Sequence, residues 1–354
     1  MQKVLIAMSG GVDSSVSAYL MKNQGYECIG CTMKLYDGPE DDVTADQTCC
    51  TLSDTEDAKS VCRKLGIDHY VFNFKDEFKE KVIDKFIGCY LCGKTPNPCI
   101  ECNDYLKFSK LYERARILEC DKIVTGHYAR IIQRDGSFHL CTAPDLSKDQ
   151  SYVLYRLSQE QLSHTLFPLG EMSKEETRRI AEENGFVNAS KKDSQDICFV
   201  PDGDYASVVS KYSGKVSEPG DFVDLEGNVL GQHKGIIHYT IGQRKGLGIA
   251  WEYPLYVIKI DVLNNTVILG PNDALFSDYL EAADARWTQA EVPKEPFDAT
   301  VRVRYHGKNV PARITPAGSD KFSVKFYEPV RAITSGQAAV IYQDDEVLGG
   351  GTII

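Results

Sequence analysis

The feature that most constrains this fold is a short apolar run that passes through two glycines into a segment of helical periodicity. The run at residues 4–8 has the length of a buried strand, and residues 16–21 continue as an apolar-periodic segment. Ser9-Gly10-Gly11-Val12-Asp13-Ser14-Ser15 lies between them. Two adjacent glycines let the backbone turn tightly and present N–H groups to an anion, while the serine hydroxyls and the positive end of the next helix add to the attraction. The pattern predicts a strand, a phosphate-binding loop and a helix.

Two other interpretations of this loop are weaker. An ordinary strand-to-helix turn would also use a permissive glycine pair and a serine cap, but the matching strand and helix context favours the phosphate site. A Walker loop requires the spacing G-x-x-x-x-G-K-[ST], which is absent, and no lysine follows the glycines. A kinase or GTPase would therefore lack its main phosphate contact here.

Hydrophobic patterning divides the chain into three regions. Up to about residue 130, apolar runs at 4–8, 28–35, 69–74 and 122–125 alternate with amphipathic segments, which is typical of a parallel sheet covered by helices. The predicted helices begin at a capping box of Ser53 and Glu56, at Asp76 and at Asp104, and two more are expected between 151 and 190, one of them at 171–184.

Beyond about residue 205, runs that alternate apolar and polar residues indicate β structure. The stretches 300–305, 312–315, 322–326 and 338–343 predict a small closed or nearly closed barrel. We therefore predict an α/β N-terminal domain with a parallel sheet at 1–204, a central mainly-β domain at 205–275 and a C-terminal β-barrel at 276–354.

Composition narrows the classes of protein that fit. The net charge of −11 argues against binding nucleic acid through the overall field, so such contacts would need locally basic patches. No apolar run is long enough to cross a bilayer, and the run at 4–8 is not followed by a signal-peptide cleavage site. We expect a cytoplasmic protein with no membrane partner, whose twelve cysteines are packed, catalytic or metal-binding rather than disulfide-bonded.

Two cysteines lie in settings that suggest chemistry. Thr95-Pro96-Asn97-Pro98-Cys99-Ile100-Glu101-Cys102-Asn103 directly precedes the predicted helix at 104–119, and its prolines would hold the approach rigid. A cysteine at a helix N-terminus has a lowered pKa and a larger thiolate fraction, which predicts a reactive Cys102. Cys198 follows the polar stretch Lys191-Lys192-Asp193-Ser194-Gln195-Asp196.

The remaining cysteines invite other interpretations. A zinc ribbon binds its metal through two C-x-x-C pairs, and this chain has two such pairs, Cys89 with Cys92 and Cys99 with Cys102. The two pairs are closer together than a ribbon usually requires. Five others share an apolar setting and are expected to pack as small hydrophobic residues, namely Cys28, Cys31, Cys62, Cys120 and Cys141.

The glycine loop resembles the SGGxDS loop of the PP-loop ATP pyrophosphatases, which cleave ATP between its α and β phosphates. Over nearly the whole chain the resemblance is closer, to the tRNA-specific 2-thiouridylases. It is carried by Ser9 to Ser15, Thr95 to Asn103, Thr125-Gly126-His127-Tyr128, Lys148-Asp149-Gln150-Ser151 and Lys192 to Phe199. It implies an adenine nucleotide alpha hydrolase-like N-terminal fold and an ATP-dependent enzyme. The enzyme would adenylate the C2 oxygen of wobble uridine 34 and replace it with sulfur, releasing AMP and pyrophosphate.

The resemblance also implies roles for individual residues. Cys198 would carry a persulfide, and Cys102 would release its sulfur by forming a disulfide. Mg²⁺ would accompany ATP, with Asp13 as a ligand. The implied ATP contacts are Ala7, Met8, Ser9, Gly10, Gly11, Val12, Asp13, Ser14, Met33 and Gly126. Asn97, Pro98 and Cys99 would meet the target base, and Asp149, Gln150, Ser151, Arg304 and Tyr305 would touch tRNA.

The implied partners are tRNAs of the Lys, Glu and Gln types and a sulfur donor such as a cysteine desulfurase or a sulfur relay protein. One residue departs from the family pattern, because many members have aspartate where this chain has Cys99. Cys99, Cys102 and Cys198 could therefore bind a [4Fe–4S] cluster with one open iron for sulfide. The persulfide and cluster routes both stay open at this point.

Basic residues that could contact tRNA phosphates are spread over the chain. The best set is Arg302-Val303-Arg304-Tyr305, because it pairs cations with an aromatic ring that can stack on a base. The other candidates are Lys174, Arg178, Arg179, Lys191, Lys192, Arg244 and Lys245. His127 is expected to be a hydrogen-bonded structural residue or a site residue without an assigned catalytic role.

Two rival functions would use the same sequence differently. Another PP-loop adenylating synthetase or amidotransferase would keep the glycine loop but would not need Cys102 and Cys198. A noncatalytic RNA-binding protein with a structural metal would not need Asp13.

Overall fold

The computed structural model describes residues 1–36, 52–191, 197–200, 203–214, 217–289 and 292–354. Cys49, Cys50 and Lys192, together with the rest of the stretch 192–196 that precedes Cys198, lie outside the described residues.

The first half of the chain is built on a parallel sheet. Its strands and those of an adjoining hairpin are β1 (Lys3–Ala7), β2 (Glu27–Lys34), β3 (Asp68–Asn73), β4 (Lys122–Val124), β5 (Ala129–Arg134), β6 (Ser137–Thr142) and β7 (Thr165–Leu166). The sheet has the order β3-β2-β1-β4-β7, and every pairing in it is parallel. Val4, Leu5 and Ile6 of the central strand are fully buried, as expected for a strand covered on both faces. The four predicted strands of this sheet are confirmed.

Helices cover the sheet on both sides. In the described ranges they are α1 (Val12–Asn23), α2 (Leu52–Leu65), α3 (Lys75–Phe78), α4 (Asp84–Leu91), α5 (Pro98–Glu101), α6 (Leu111–Ile117), α7 (Gln159–Ser163), α8 (Lys174–Glu183) and α9 (Tyr205–Ser213). π-Helical turns at Lys79–Ile83 and Cys102–Lys110 join α3 to α4 and α5 to α6. Among the described helices, none has the length and apolar character that a bilayer crossing needs.

The central region forms a separate small sheet. Its strands are β8 (Gly220–Val223), β9 (Val229–His233), β10 (Tyr256–Asp261) and β11 (Thr266–Gly270), in the order β10-β11-β8-β9.

The C-terminal region is a closed barrel, as predicted. Its strands are β12 (Phe276–Trp287), β13 (Phe297–Arg302), β14 (Val310–Pro316), β15 (Lys321–Arg331), β16 (Ala338–Gln343) and β17 (Glu346–Ile353). They run in the order β12-β15-β14-β13-β16-β17, and pairing of β12 with β17 closes the ring. The antiparallel β5–β6 hairpin joins this sheet where Cys141 pairs with Glu346. The barrel sheet is therefore continuous with strands from the first half of the chain.

Candidate active site

The glycine loop lies at the carboxyl end of β1, directly before α1. Gly10 has φ +77°, and a Cβ there would stand 2.4 Å from the backbone oxygen of Asp54. Only glycine fits this position without strain. Gly11 is extended and caps α1, so the first N–H groups of a twelve-residue helix, which have no partner within the helix, face the loop. The predicted strand, loop and helix are confirmed, and the loop fits a phosphate group.

The serine hydroxyls of the loop hold its shape. Ser14 Oγ and Ser15 Oγ each donate to the backbone oxygen of Gly11 at 3.0 Å, and Ser14 Oγ accepts from the N–H of Ser9 at 3.2 Å. Ser14 and Ser15 are buried, whereas Ser9 is exposed. Backbone N–H groups, rather than these buried hydroxyls, are therefore the donors that the loop offers to an anion.

A lysine from far along the chain supplies the cation that the loop sequence lacks. Lys174, the first residue of α8, places Nζ 2.7 and 2.8 Å from the two carboxylate oxygens of Asp13. Tyr128 Oη donates to Asp13 Oδ1 at 2.9 Å. Lys174 is buried and paired with Asp13, whereas the sequence suggested it as a candidate contact to tRNA phosphates. Sequence reasoning did not connect it with the loop.

Asp13 fits Mg²⁺ only in part. A carboxylate is a suitable hard ligand, but the ammonium of Lys174 already contacts both of its oxygens. Mg²⁺ commonly keeps several waters and binds substrate phosphates with one or two carboxylates. The loop therefore suits a metal that arrives on the nucleotide, and the role of Asp13 as its ligand stays a prediction.

Asn188 is a second loop residue that sequence reasoning missed. Its Nδ2 donates to the backbone oxygen of Gly10 at 2.8 Å and to Ser15 Oγ at 2.9 Å, and the side chain is buried. Its Oδ1 is one of the buried oxygens in the described part of the chain without a hydrogen-bond partner. Nothing in the surrounding sequence marks this asparagine as a loop contact.

We expect Asn188→Ala to weaken both the loop and nucleotide binding. Loss of Nδ2 leaves the buried oxygen of Gly10 without this donor, at a cost of about 1–3 kcal/mol in free energy of unfolding. The KM for ATP should rise because the loop is no longer held. Thermal unfolding and ATP kinetics measure the two effects, and Asn184→Ala, which removes a bond to the oxygen of Ile180 at the end of α8, is the control. An unchanged KM would contradict the assignment.

Other predicted ATP contacts gather at the same sheet edge. Ala7 ends β1, Met8 is buried and donates its N–H to the oxygen of Cys31 at 2.7 Å, and Met33 is a buried residue of β2. Gly126 follows β4, and a Cβ on it would lie 2.9 Å from the carbonyl carbon of Asp13. Ligands of open α/β sheets bind at this edge.

His127 is buried against the same edge. Burial lowers its pKa well below the usual value, and the positive charge of Lys107 lowers it further. Its Nδ1 and the hydroxyl of Thr125 are 2.7 Å apart. The imidazole is therefore neutral and hydrogen-bonded, as the structural alternative predicted.

The helix that carries Cys99 and Cys102 begins earlier than predicted. Asn97 Oδ1 accepts from the N–H of Cys99 at 3.1 Å, and Pro98 occupies the first helical position, where a missing N–H costs nothing. Cys99 is exposed at the helix N-terminus, while Cys102 is buried in the second turn. The prediction that Cys102 lies at a helix N-terminus is wrong, and the dipole argument applies to Cys99 instead.

A buried ion pair holds this helix in place. Glu101, between the two cysteines, accepts from Arg156 at 2.8 Å and from Lys85 at 2.7 Å. Asn103 Nδ2 donates to the backbone oxygen of Val153 at 3.0 Å. The Cys102 turn is thus anchored to the segment that follows Ser151.

Cys198 lies beside the carboxyl end of β2. Its backbone oxygen accepts from Tyr36 Oη at 2.6 Å, and the ring of Phe199 packs on Phe78 and Phe86 with centroids 5.6 and 5.2 Å away. Cys102 belongs to the same hydrophobic core against which Cys198 packs. The second predicted thiol therefore sits at the edge of the sheet that bears the glycine loop.

Within the described ranges the cysteines do not form a metal centre. Among these residues, no three His, Cys, Asp or Glu side chains are grouped so as to hold a metal ion. Cys99, Cys102 and Cys198 are all described, as are Cys89 and Cys92. The five cysteines predicted to pack as small hydrophobic residues are all buried.

The predicted tRNA segment at 149–151 is largely internal. Both oxygens of Asp149 accept hydrogen bonds from Ser151, and Oδ2 also accepts from Arg302 at 3.0 Å. Asp149, Ser151 and Arg302 are buried. Arg302 is therefore an internal partner of Asp149, and the prediction that it tracks phosphates along the surface is wrong. Gln150 Oε1 accepts from the N–H of Tyr128, which links this segment to Asp13.

Cys99 and the predicted Arg304–Tyr305 contact meet at the junction with the barrel. Burial raises the pKa of Tyr305, the nearby charge of Asp149 raises it further, and Cys99 lies within electrostatic range of the same ring. Arg304 is exposed. The structure thus brings Cys99, Asp149 and Tyr305 together, although they are distant in sequence.

Comparison with known proteins agrees with this architecture. Family profiles described as tRNA methyl transferase HUP domain, tRNA methyl transferase PRC-barrel domain and aminomethyltransferase beta-barrel domain match residues 2–202, 207–271 and 277–353. The chain is 51% identical over 354 residues to the tRNA-specific 2-thiouridylase MnmA of Clostridioides difficile, covering 99% of this chain and 98% of the relative. It is 49% identical over 354 residues to MnmA 1 of Thermoanaerobacter pseudethanolicus, covering 99% and 97%.

The fold and the glycine loop define a PP-loop enzyme of the HUP class that uses ATP. The chain belongs to the tRNA-specific 2-thiouridylase family.

Proposed function

We propose that this protein adenylates the C2 oxygen of wobble uridine 34 in tRNA and replaces that oxygen with sulfur. The observation that carries the proposal is the position of Cys198. The backbone oxygen of Cys198 accepts a hydrogen bond from Tyr36, which lies just beyond β2. This is the sheet edge at which the glycine loop follows β1. A nucleotide held by the loop and a sulfur carried by Cys198 would thus approach one target from neighbouring strands.

Adenylation makes the exchange feasible because it converts a poor leaving group into AMP. The terminal sulfur of a persulfide on Cys198 attacks C2 of the activated base, and AMP departs with the oxygen. The Cys102 thiolate then attacks Cys198 Sγ and breaks the S–S bond, which leaves 2-thiouridine and a Cys102–Cys198 disulfide. Reduction of that disulfide and a new sulfur from a cysteine desulfurase or sulfur relay protein complete the cycle.

The persulfide route is the one that the arrangement favours. A cluster route requires Cys99, Cys102 and Cys198 to converge on one [4Fe–4S] centre. In the described part of the chain these side chains form no metal-holding group. The exposure of Cys99 at a helix N-terminus, within electrostatic range of Tyr305, supports the proposal that Cys99 meets the target base.

The proposed substrate is tRNA of the Lys, Glu or Gln type with an extruded wobble base. Asn97, Pro98 and Cys99 would surround the base, and Arg304 with Tyr305 would contact the adjoining nucleotides. Asp149 and Ser151 are buried and would act indirectly. Their hydrogen bonds, to each other and from Arg302 to Asp149, hold the segment 149–151 against the barrel.

The nucleotide products test this function. With tRNA, ATP and Mg²⁺, with a cysteine desulfurase and cysteine to supply sulfane sulfur to Cys198, and with a reductant, we expect AMP and pyrophosphate to form together with 2-thiouridine, only when tRNA is present. Nucleoside mass spectrometry identifies the modified base. The rival function, a PP-loop synthetase, would introduce nitrogen rather than sulfur. ADP as the product, or AMP formation without tRNA at the same rate, would contradict the proposal.

A further inference from the structure

A loop of the central region presents aromatic and cationic side chains to solvent. We propose that this loop, residues 244–255, is a second tRNA-binding surface on which an unpaired base stacks against Trp251. The inference rests on the proposed function, since tRNA is the partner.

The side chains of this loop have the chemistry of a stacking site. Trp251 is 48% exposed and Tyr253 46% exposed, although large aromatic residues usually bury most of their surface. Arg244 and Lys245 are exposed in the same loop. The loop lines an open groove of about 460 Å³. Aromatic faces beside cations bind single-stranded nucleotides through stacking and phosphate attraction.

The loop is held in a defined shape. Gln243 Oε1 accepts from the N–H of Thr240 at 3.0 Å, and its Nε2 donates to the oxygen of Lys245 at 3.0 Å. Leu247 and Leu255 are buried and anchor the two sides of the loop. Trp251 is therefore presented from an ordered framework, which lowers the entropy cost of binding a base.

The position of the loop lets one tRNA reach it and the active site. At its base, a Cβ on Gly242 would lie 3.1 Å from Ala332 of the barrel segment. Ser335, three residues further on, accepts from the N–H of Thr95 at 2.9 Å. Three residues span at most about 10 Å, so the loop base lies near the segment that carries Cys99.

The charge distribution favours RNA at this loop. Three cations that the sequence suggested as phosphate contacts are paired with carboxylates, Lys174 with Asp13, Lys191 with Asp54 and Arg302 with Asp149. Arg244 and Lys245 are exposed instead and outnumber Glu252, the one acidic residue of the loop, in a chain whose net charge is −11. Local cations are what an acidic protein needs to attract a polyanion.

Tryptophan fluorescence tests the proposal directly, because the chain has only Trp251 and Trp287. Addition of tRNA should quench the emission of the wild type and of Trp287→Phe. In Trp251→Phe, where only Trp287 emits, tRNA should cause little quenching. Quenching of Trp251 by a protein sulfur donor but not by tRNA would overturn the proposal and indicate a protein-docking surface.

Affinity measurements give a second readout. Trp251→Ala should weaken tRNA binding about ten-fold. Replacing Arg244 and Lys245 by glutamine should lower the slope of log K against log salt concentration by about two. Leu263→Ala, which shortens a 97% exposed side chain in the same region, is the matched control and should bind as the wild type does. Circular dichroism checks that each variant folds.

The outcomes separate this inference from the proposed function. If wild-type protein forms AMP in a tRNA-dependent manner but Trp251→Ala binds tRNA with unchanged affinity, the inference is overturned and the function stands. If the wild-type protein forms no AMP at all, the proposed function is contradicted, whatever the affinity of Trp251→Ala for tRNA.

Discussion

Serine in place of Cys102 or Cys198 is expected to lower formation of 2-thiouridine by at least ~10³-fold, because a neutral hydroxyl neither carries a persulfide nor attacks one. The two variants should fail at different steps. Cys198→Ser should accept no sulfur from a donor labelled with ³⁵S, whereas Cys102→Ser should accept it and retain it. Nucleoside mass spectrometry and protein labelling measure the two steps.

Neighbouring cysteines give matched controls for this prediction. Cys92→Ser changes an exposed thiol near the same helix and should leave thiolation unchanged. Cys99→Ser separates the two sulfur routes, because a cluster route predicts a loss as large as that of Cys102→Ser. On the persulfide route the loss at Cys99 should stay below about ten-fold. Thiolation that survives at Cys198→Ser would rule out the proposed sulfur carrier.

Local patterns predicted the parts of the fold that depend on local physics. The run at residues 4–8 became β1 and the glycine pair became the cap of α1, because strand burial, tight turning and helix capping are decided within a few residues. The helix predicted at 171–184 is α8, which begins at Lys174 because Ser173 caps it through a capping box with Glu176. Two barrel strands were not predicted, β12 and β17. Three consecutive glycines give β17 a low strand propensity, which its pairing with β16 overrides.

Contacts between distant residues account for most of the errors. Lys174 and Arg302 are candidate phosphate contacts in sequence, but each pairs with a carboxylate, 161 and 153 positions away. The same limit concealed Asn188, whose partner Gly10 lies 178 positions earlier. Pairing of this kind depends on how the chain folds back, which a single sequence does not reveal.

The helix start at Pro98 shows a different kind of error. The two prolines were interpreted as a rigid extended approach, yet proline is also favoured at the first helical position. Asn97 then caps the helix, so Cys99 lies in its first turn and Cys102 in its second. The chemistry assigned to Cys102 therefore depends on its neighbours in the core rather than on the helix dipole.

Gly126→Ala is expected to lower kcat/KM for ATP about 100-fold, because a displacement of about 1 Å in a binding loop can cost that much. The new Cβ would lie 2.9 Å from the carbonyl carbon of Asp13 and 3.0 Å from the N–H nitrogen of Ser14. These are backbone atoms at the start of α1, so no flexible side chain can move aside. The loop, or the strand end that faces it, must shift.

Gly88→Ala is the matched control for this substitution. Gly88 lies in α4, and among the described residues no atom outside its own helix backbone would come within 4 Å of a Cβ there. Alanine at this position should therefore stabilise the helix by up to about 1 kcal/mol. Steady-state kinetics at varied ATP concentration, with thermal unfolding of both variants, measure the contrast. A Gly126→Ala enzyme with kcat/KM close to that of Gly88→Ala would mean that β4 and the loop do not jointly position the nucleotide. We expect instead a much lower kcat/KM for Gly126→Ala than for Gly88→Ala, because the end of β4 supports the phosphate loop through the close contact at Gly126.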